Sequence, residues 1–107
     1  MAKQHASVKV EKAKFAHEAR DGSLPATMEA LGFSIFAWQD KPGAYYAEHS
    51  HPVDEFLVVE SGCIVFVIDG IEYDLKIGDF LTLPAGTNHC AEVKGRSPAK
   101  YLICTRS

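Results

Sequence analysis

From Gly43 onward the apolar residues fall into short runs, with turn-forming residues interrupting them roughly every 8 to 12 positions, as in sandwiches and barrels. Residues 44–50 form a polar and aromatic run, and 55–60 an apolar, β-branched one. Residues 63–68, CIVFVI, are apolar on both faces. Residues 71–76 alternate, with Ile71, Tyr73 and Leu75 on one face and Glu72, Asp74 and Lys76 on the other, which predicts a strand with one wet face. Further strands are predicted over 80–83, 89–94 and 100–106. Asp69-Gly70 joins two of these runs and suits a type I′ hairpin, which needs positive φ at both central residues. The first forty residues are less regular. Val8 and Val10 suggest an opening strand. Residues 23–32 suggest a short helix with Ser23 as N-cap and Gly32 as the stop, and 33–38 another strand. The pattern predicts an all-β fold in one domain spanning residues 1–107.

Backbone alternation makes one stretch chemically suggestive. Residues i and i+2 of a strand share a face, so in 43–62, GAYYAEHSHPVDEFLVVESG, His49 and His51 project together with Tyr45 and Ala47 behind them. Pro52 cannot serve a central ladder, so 52–54 should turn and deliver Glu55 beside the two imidazoles as in a hairpin. A further candidate ligand is His89, following the Pro84-Ala85-Gly86 turn, with Ala91 and Val93 inward and Cys90 and Glu92 outward.

At these residues the chain resembles the cupins. Residues 43–62 fit the first cupin motif, G-x5-H-x-H-x3-E-x6-G, through Gly43, His49, His51, Glu55 and Gly62. Residues 78–89 fit the second, G-x5-P-x-G-x2-H, through Gly78, Pro84, Gly86 and His89. The family pattern usually closes on an asparagine where this chain has Val93, a position that is not a metal ligand in the family. Nine fixed positions at ordinary residue usage would match by chance on the order of 10⁻¹¹ to 10⁻¹² of the time, so the likeness is specific. The fifteen residues between the motifs match small bacterial single-domain cupins.

The resemblance implies a jelly-roll β-barrel (a double-stranded β-helix) whose mouth binds one divalent transition metal through His49, His51, Glu55 and His89. Imidazole and carboxylate ligands admit Fe, Mn, Ni, Zn, Co or Cu, and the lack of a thiolate argues against a closed structural zinc site. The function implied is that of a small metalloenzyme, a dioxygenase or a lyase or isomerase, acting on a small oxygenated metabolite at the metal. The alternative is a non-catalytic module that senses or binds a small ligand or metal. Sensors of the family often carry a fused DNA-binding domain; none is legible here, which favours a stand-alone enzyme or an orphan binding protein. Tyr45, on the His49 face, is the nearest candidate for a pocket side chain, although core packing is the favoured reading for it. His5 and His17 read as solvated surface residues. Phe33, Phe36 and Trp38 read as lining either the mouth or the core, with core the favoured reading, and Asp79 reads as a turn residue. The outward-facing Phe56 and Val58 and the two-sided run 63–68 need cover; a second sheet of the same chain can supply it, but cupins commonly dimerise through these surfaces and a homodimer is expected.

Composition adds exclusions. A net charge of −3 offers no basic footprint for nucleic acid or an anionic membrane. A longest apolar run of six residues cannot span a bilayer as a helix. The start of the chain lacks the apolar segment of a secretory signal. Three cysteines (Cys63, Cys90 and Cys104) without CxxC spacing suit a reducing cytoplasm.

Overall fold

The computed structural model describes residues 7–107. His5 lies outside them. Nine strands and two short helices follow in the order β1 (Lys9–Glu11), α1 (Ala16–Asp21), α2 (Leu24–Ala30), β2 (Phe33–Asp40), β3 (Tyr45–His49), β4 (Glu55–Ser61), β5 (Ile64–Ile68), β6 (Ile71–Leu75), β7 (Phe80–Leu83), β8 (His89–Glu92) and β9 (Ala99–Arg106). They form two antiparallel sheets, one ordered β1-β7-β4-β9-β2 and the other β3-β8-β5-β6. This is the jelly-roll architecture that the cupin resemblance implies, built from strands close to those the rhythm predicts.

The barrel interior follows from alternation. Leu57 and Val59 of β4, Leu81 and Leu83 of β7, and Ile64 and Phe66 of β5 meet between the sheets in the main core. Val93 belongs to the same core, so an apolar side chain occupies the place of the family's asparagine. The opposite face of the five-stranded sheet is also apolar, and Phe56, Val58, Phe80 and Leu102 are buried there beneath Phe15, Leu24 and Met28. A layer of α1 and α2 therefore covers Phe56 and Val58 within one chain, where the sequence suggested a second copy. Among the outward residues of β5, Val65 is buried and Val67 half-buried.

Helix α2 matches the expected helix, and its apolar pair Leu24 and Met28, four residues apart, faces the sheet. Gly32 has φ +96° as the stop requires. Ser23 does not cap through its side chain; its hydroxyl and amide both donate to Asp21 Oδ1, at 2.5 and 2.8 Å. Helix α1 was not expected. It is six residues long and has no buried residue, so no apolar stripe announces it. It is held from its start, where the Phe15 amide donates to the Gly78 carbonyl (2.9 Å) and the Phe15 ring meets Phe80 edge-on at 5.3 Å. The Asp69-Gly70 turn has φ values of +52° and +76°, as a type I′ hairpin demands. His17 is exposed, 3.4 Å from Asp21.

Two motif glycines are explained by close approach. A Cβ on Gly62 would lie 2.2 Å from the Pro98 carbonyl oxygen, and one on Gly78 2.3 Å from the backbone of Ala16. Both also have positive φ, so a side chain there is excluded twice over.

Asp79, beside Gly78, is more than a turn residue. It is 2 % exposed and accepts hydrogen bonds from the Ala13 amide (2.7 Å), the Lys76 amide (2.8 Å) and the Lys12 ammonium. It thereby clamps the segment between β1 and α1 to the barrel. Burial by itself would raise its pKa, but these donors outweigh it and hold the carboxyl below its ordinary 3.8. A carboxyl whose folded pKa is depressed stabilises above the unfolded value, and that stability is lost as pH falls through the folded one. Asp79→Ala is expected to lower the unfolding free energy by about 2 kcal/mol in urea titrations near neutral pH, because the Ala13 and Lys76 amides and the Lys12 ammonium lose their acceptor. The gap between wild type and variant should narrow as the pH falls below about 4.

Candidate metal centre

Three histidines converge inside the barrel mouth. His49 ends β3 and His89 begins β8, and the two are direct cross-strand partners. His51 lies just beyond β3, in the connection to β4. Because β3 and β4 belong to different sheets, that connection is a corner between sheets and not the hairpin expected from Pro52. The corner is pinned to the turn before His89 by two bonds. The Gly86 amide donates to the His51 carbonyl at 2.8 Å, and the Ala85 amide donates to Asp54 Oδ1 at 2.8 Å. The second motif thus positions His51 as well as His89.

The three imidazoles each offer a nitrogen within 4.8 Å of the others, and the ring centroids lie 4.4 to 5.3 Å apart. His49 Nδ1 sits 2.7 Å from the Ala47 carbonyl oxygen, and His89 Nδ1 2.9 Å from that of Thr87. A carbonyl only accepts, so each Nδ1 carries the proton and each Nε2 keeps its lone pair for a ligand. Phe66 stacks on His89 at 5.7 Å. Burial holds the His89 pKa below the ordinary histidine range; the bond to Thr87 opposes this and the neighbouring His49 and His51 add to it. A cluster of three imidazoles, with His89 buried and His49 and His51 half-buried, can hold a divalent ion. Glu55 is adjacent, its Oε1 3.6 Å from His51 Nε2, and it shares the cavity wall with the histidines at the edge of their cluster.

The cavity has a volume of about 250 Å³, room for a small metabolite. Besides the histidines and Glu55, its wall includes Phe36, Trp38, Tyr46 and Tyr101. Tyr45 is not among these residues: it is 62 % exposed and points outward. The cause is a register shift in β3, where Tyr46 pairs with Ala91 but His49 with His89, three residues against two. The extra residue moves the inward face from odd to even positions upstream of the shift, so Tyr46 takes the place expected for Tyr45. Phe33 is core, whereas Phe36 and Trp38 line the mouth, at 55 % and 41 % exposure, with their rings stacked at 5.3 Å. Cys90, outward as expected, is no part of the cluster.

Behind the aromatic wall lies a carboxylate that sequence reasoning missed. Asp40 is 6 % exposed and accepts from Tyr46 OH (2.6 Å), Trp38 Nε1 (2.8 Å) and Tyr101 OH (2.5 Å). Burial, joined by the bond to Asp40, raises the pKa of both tyrosines, so their phenols keep their protons. In the sequence Asp40 stands in QDKPG, where it reads as a turn residue, and nothing there marks it otherwise.

Comparison with known proteins places this geometry in a family. The sequence profile of the cupin domain (Cupin_2) matches residues 36–105, well over half the chain. The chain is a cupin. No curated protein is significantly similar to it. Several solved structures share the fold. A conserved protein of unknown function from Streptococcus pyogenes matches with a TM-score of 0.62 at 22% identity, over 71% of this chain and 65% of that one. The Cupin_2 domain of an XRE family transcriptional regulator from Enterobacter cloacae matches with a TM-score of 0.60 at 26% identity, over 74% and 85%. The DMSP lyase DddQ from Ruegeria pomeroyi matches with a TM-score of 0.63 at 26% identity, over 71% of this cupin but 39% of the lyase. The cupin thus spans just under two thirds of the first of these proteins and about two fifths of the lyase.

The exchange of Tyr45 for Tyr46 has a direct test. Tyr46→Phe removes a half-buried hydroxyl bonded to Asp40 and is expected to cost about 1 kcal/mol, while Tyr45→Phe should cost almost nothing. Urea unfolding followed by the fluorescence of Trp38, the single tryptophan, measures both.

Proposed function

We propose that this cupin holds one divalent transition metal with His49, His51, His89 and Glu55 and acts as a small metalloenzyme on an oxygenated metabolite bound in the barrel mouth. One observation carries the reading: three imidazoles, two with Nδ1 tied to backbone carbonyls, bring nitrogens within 4.8 Å of one another in a cavity of metabolite size. When bound, such a metal supplies Lewis acidity or redox chemistry to a substrate oxygen. The chain's own residues do the rest. His49 and His89 are held rigidly by their carbonyl bonds, Phe66 and Ala91 exclude water, and Phe36 and Trp38 frame the entrance. Of the reactions considered, dioxygenase against lyase or isomerase, the second is favoured by the likeness to the Ruegeria lyase. The likeness to a regulator's cupin domain supports a second reading, a non-catalytic ligand-binding module.

Three free cysteines support a reducing, cytoplasmic setting. Among the described residues no helix is long and apolar enough to cross a membrane. A homodimer is also proposed, now on different grounds. β2 ends its sheet, and its eight-residue outer edge is an invitation to pairing.

Protein purified without chelator is expected to carry one divalent ion per chain by elemental analysis, and the His49→Ala, His89→Ala double variant almost none; equal metal contents would sink the proposal. With metal bound, turnover of a panel of small acids and diols should fall about tenfold to a hundredfold in Glu55→Ala. A binding module would instead gain thermal stability from a ligand with no turnover. Sedimentation equilibrium should return twice the chain mass, and a charged residue at the β2 edge, Ala37→Lys, should halve it.

A further inference from the structure

The cavity wall holds a buried charge that the metal reading does not use. Asp40 accepts three hydrogen bonds, and all of them come from neutral groups: the Trp38 indole and the Tyr46 and Tyr101 phenols. None of the ion pairs among the described residues involves Asp40. Buried carboxylates usually pair with a cation, because removing a charge from water is costly. Three charge-assisted bonds satisfy the lone pairs of Asp40 but leave its charge uncompensated.

All three donors line the cavity, while Asp40 itself sits behind them. Their orientation has a chemical consequence. Both phenol protons point at Asp40, so each hydroxyl offers only acceptor lone pairs in any other direction. The indole N–H is likewise committed, at 2.8 Å from Asp40 Oδ1 and 3.0 Å from the Tyr46 oxygen. This part of the wall therefore presents aromatic rings and acceptor oxygens with a negative charge behind them. The stacked Phe36 and Trp38 rings extend it toward the entrance. Such a surface attracts a cation through ring quadrupoles and through the carboxylate together. It repels an anion, and it offers an uncharged alkyl group contact only.

We propose that the wall built on Asp40, Trp38, Tyr46 and Tyr101 is a subsite for an organic cation, an alkylammonium or similar onium group. Resting on the reading of the cavity as a metal-assisted site, the substrate is then a zwitterion. Its oxygenated end faces the histidines and its cationic end the aromatic wall. Asp40 acts as a positioning residue, one layer removed from the ligand.

The test uses Trp38 fluorescence with two probes of nearly the same shape, choline and its uncharged isostere 3,3-dimethylbutan-1-ol. The full chain is titrated both metal-loaded and freed of metal with a chelator. Choline is expected to bind about tenfold more tightly than the isostere in both states. Asp40→Asn should bring that ratio close to one, and Tyr46→Phe should lower it severalfold. Equal affinities of the two probes for the wild type would overturn the proposal without any variant having to fold. So would an unchanged ratio in folded Asp40→Asn, or a loss of metal from that variant with the choline preference intact, which would make Asp40 a support of the metal alone. Because the metal-free arm needs no ion, failure of the metal reading leaves the preference for choline standing. Failure of the cation subsite, in turn, leaves metal content unaffected.

Discussion

The fold depends on the two-sided burial of β4. Phe56, Leu57, Val58 and Val59 are all buried, so this strand, in the middle of the five-stranded sheet, demands apolar cover on both faces. Each side chain contributes roughly 2 kcal/mol when fully removed from water. The inner face closes against the four-stranded sheet and creates the barrel. The outer face recruits α1 and α2, which have little helix-forming strength of their own and exist because Phe15, Leu24 and Met28 find apolar partners there. Gly78 and Asp79 join the two arrangements. The glycine lets the chain around Ala16 approach the barrel turn, and the carboxylate then ties that chain down.

The same closure builds the site. Glu55 is the first residue of β4 and shares its inner face with Leu57, so the strand that anchors the core also aims a carboxylate at the barrel mouth. The histidines come from the other sheet and its corner, and they are arranged by backbone bonds that have formed before any ligand arrives. Preorganisation of this kind lowers the entropic cost of bringing the anchored His49 and His89 rings to an ion. It also selects which nitrogen of each anchored ring faces the cavity.

Within the cavity, two different chemistries share one wall. The histidine cluster offers nitrogens to an ion, with Glu55 beside it. The aromatic group around Asp40 offers rings and acceptor oxygens. The first set stands at positions common to the cupin family, while the second draws on β2, β3 and β9. A family motif thus describes the reactive end of the cavity, and the neighbouring strands differentiate what fits beside it.

Local spacing and local backbone chemistry sufficed for the strand rhythm, the Asp69-Gly70 hairpin and the three histidines that converge, His49, His51 and His89. Alternation also placed Leu57, Val59 and Ala91 on the inner face. Only the tertiary structure decided the rest. A one-residue shift in β3 is invisible in a string of letters, yet it moves Tyr45 to the surface and Tyr46 into the cavity. Helix α1 has no periodic stripe, since a neighbouring residue, Phe15, does its packing. Asp40 and Asp79 look like ordinary turn residues in the sequence. Their burial depends on partners up to 61 and 67 positions away, which come within reach only when the sheets close.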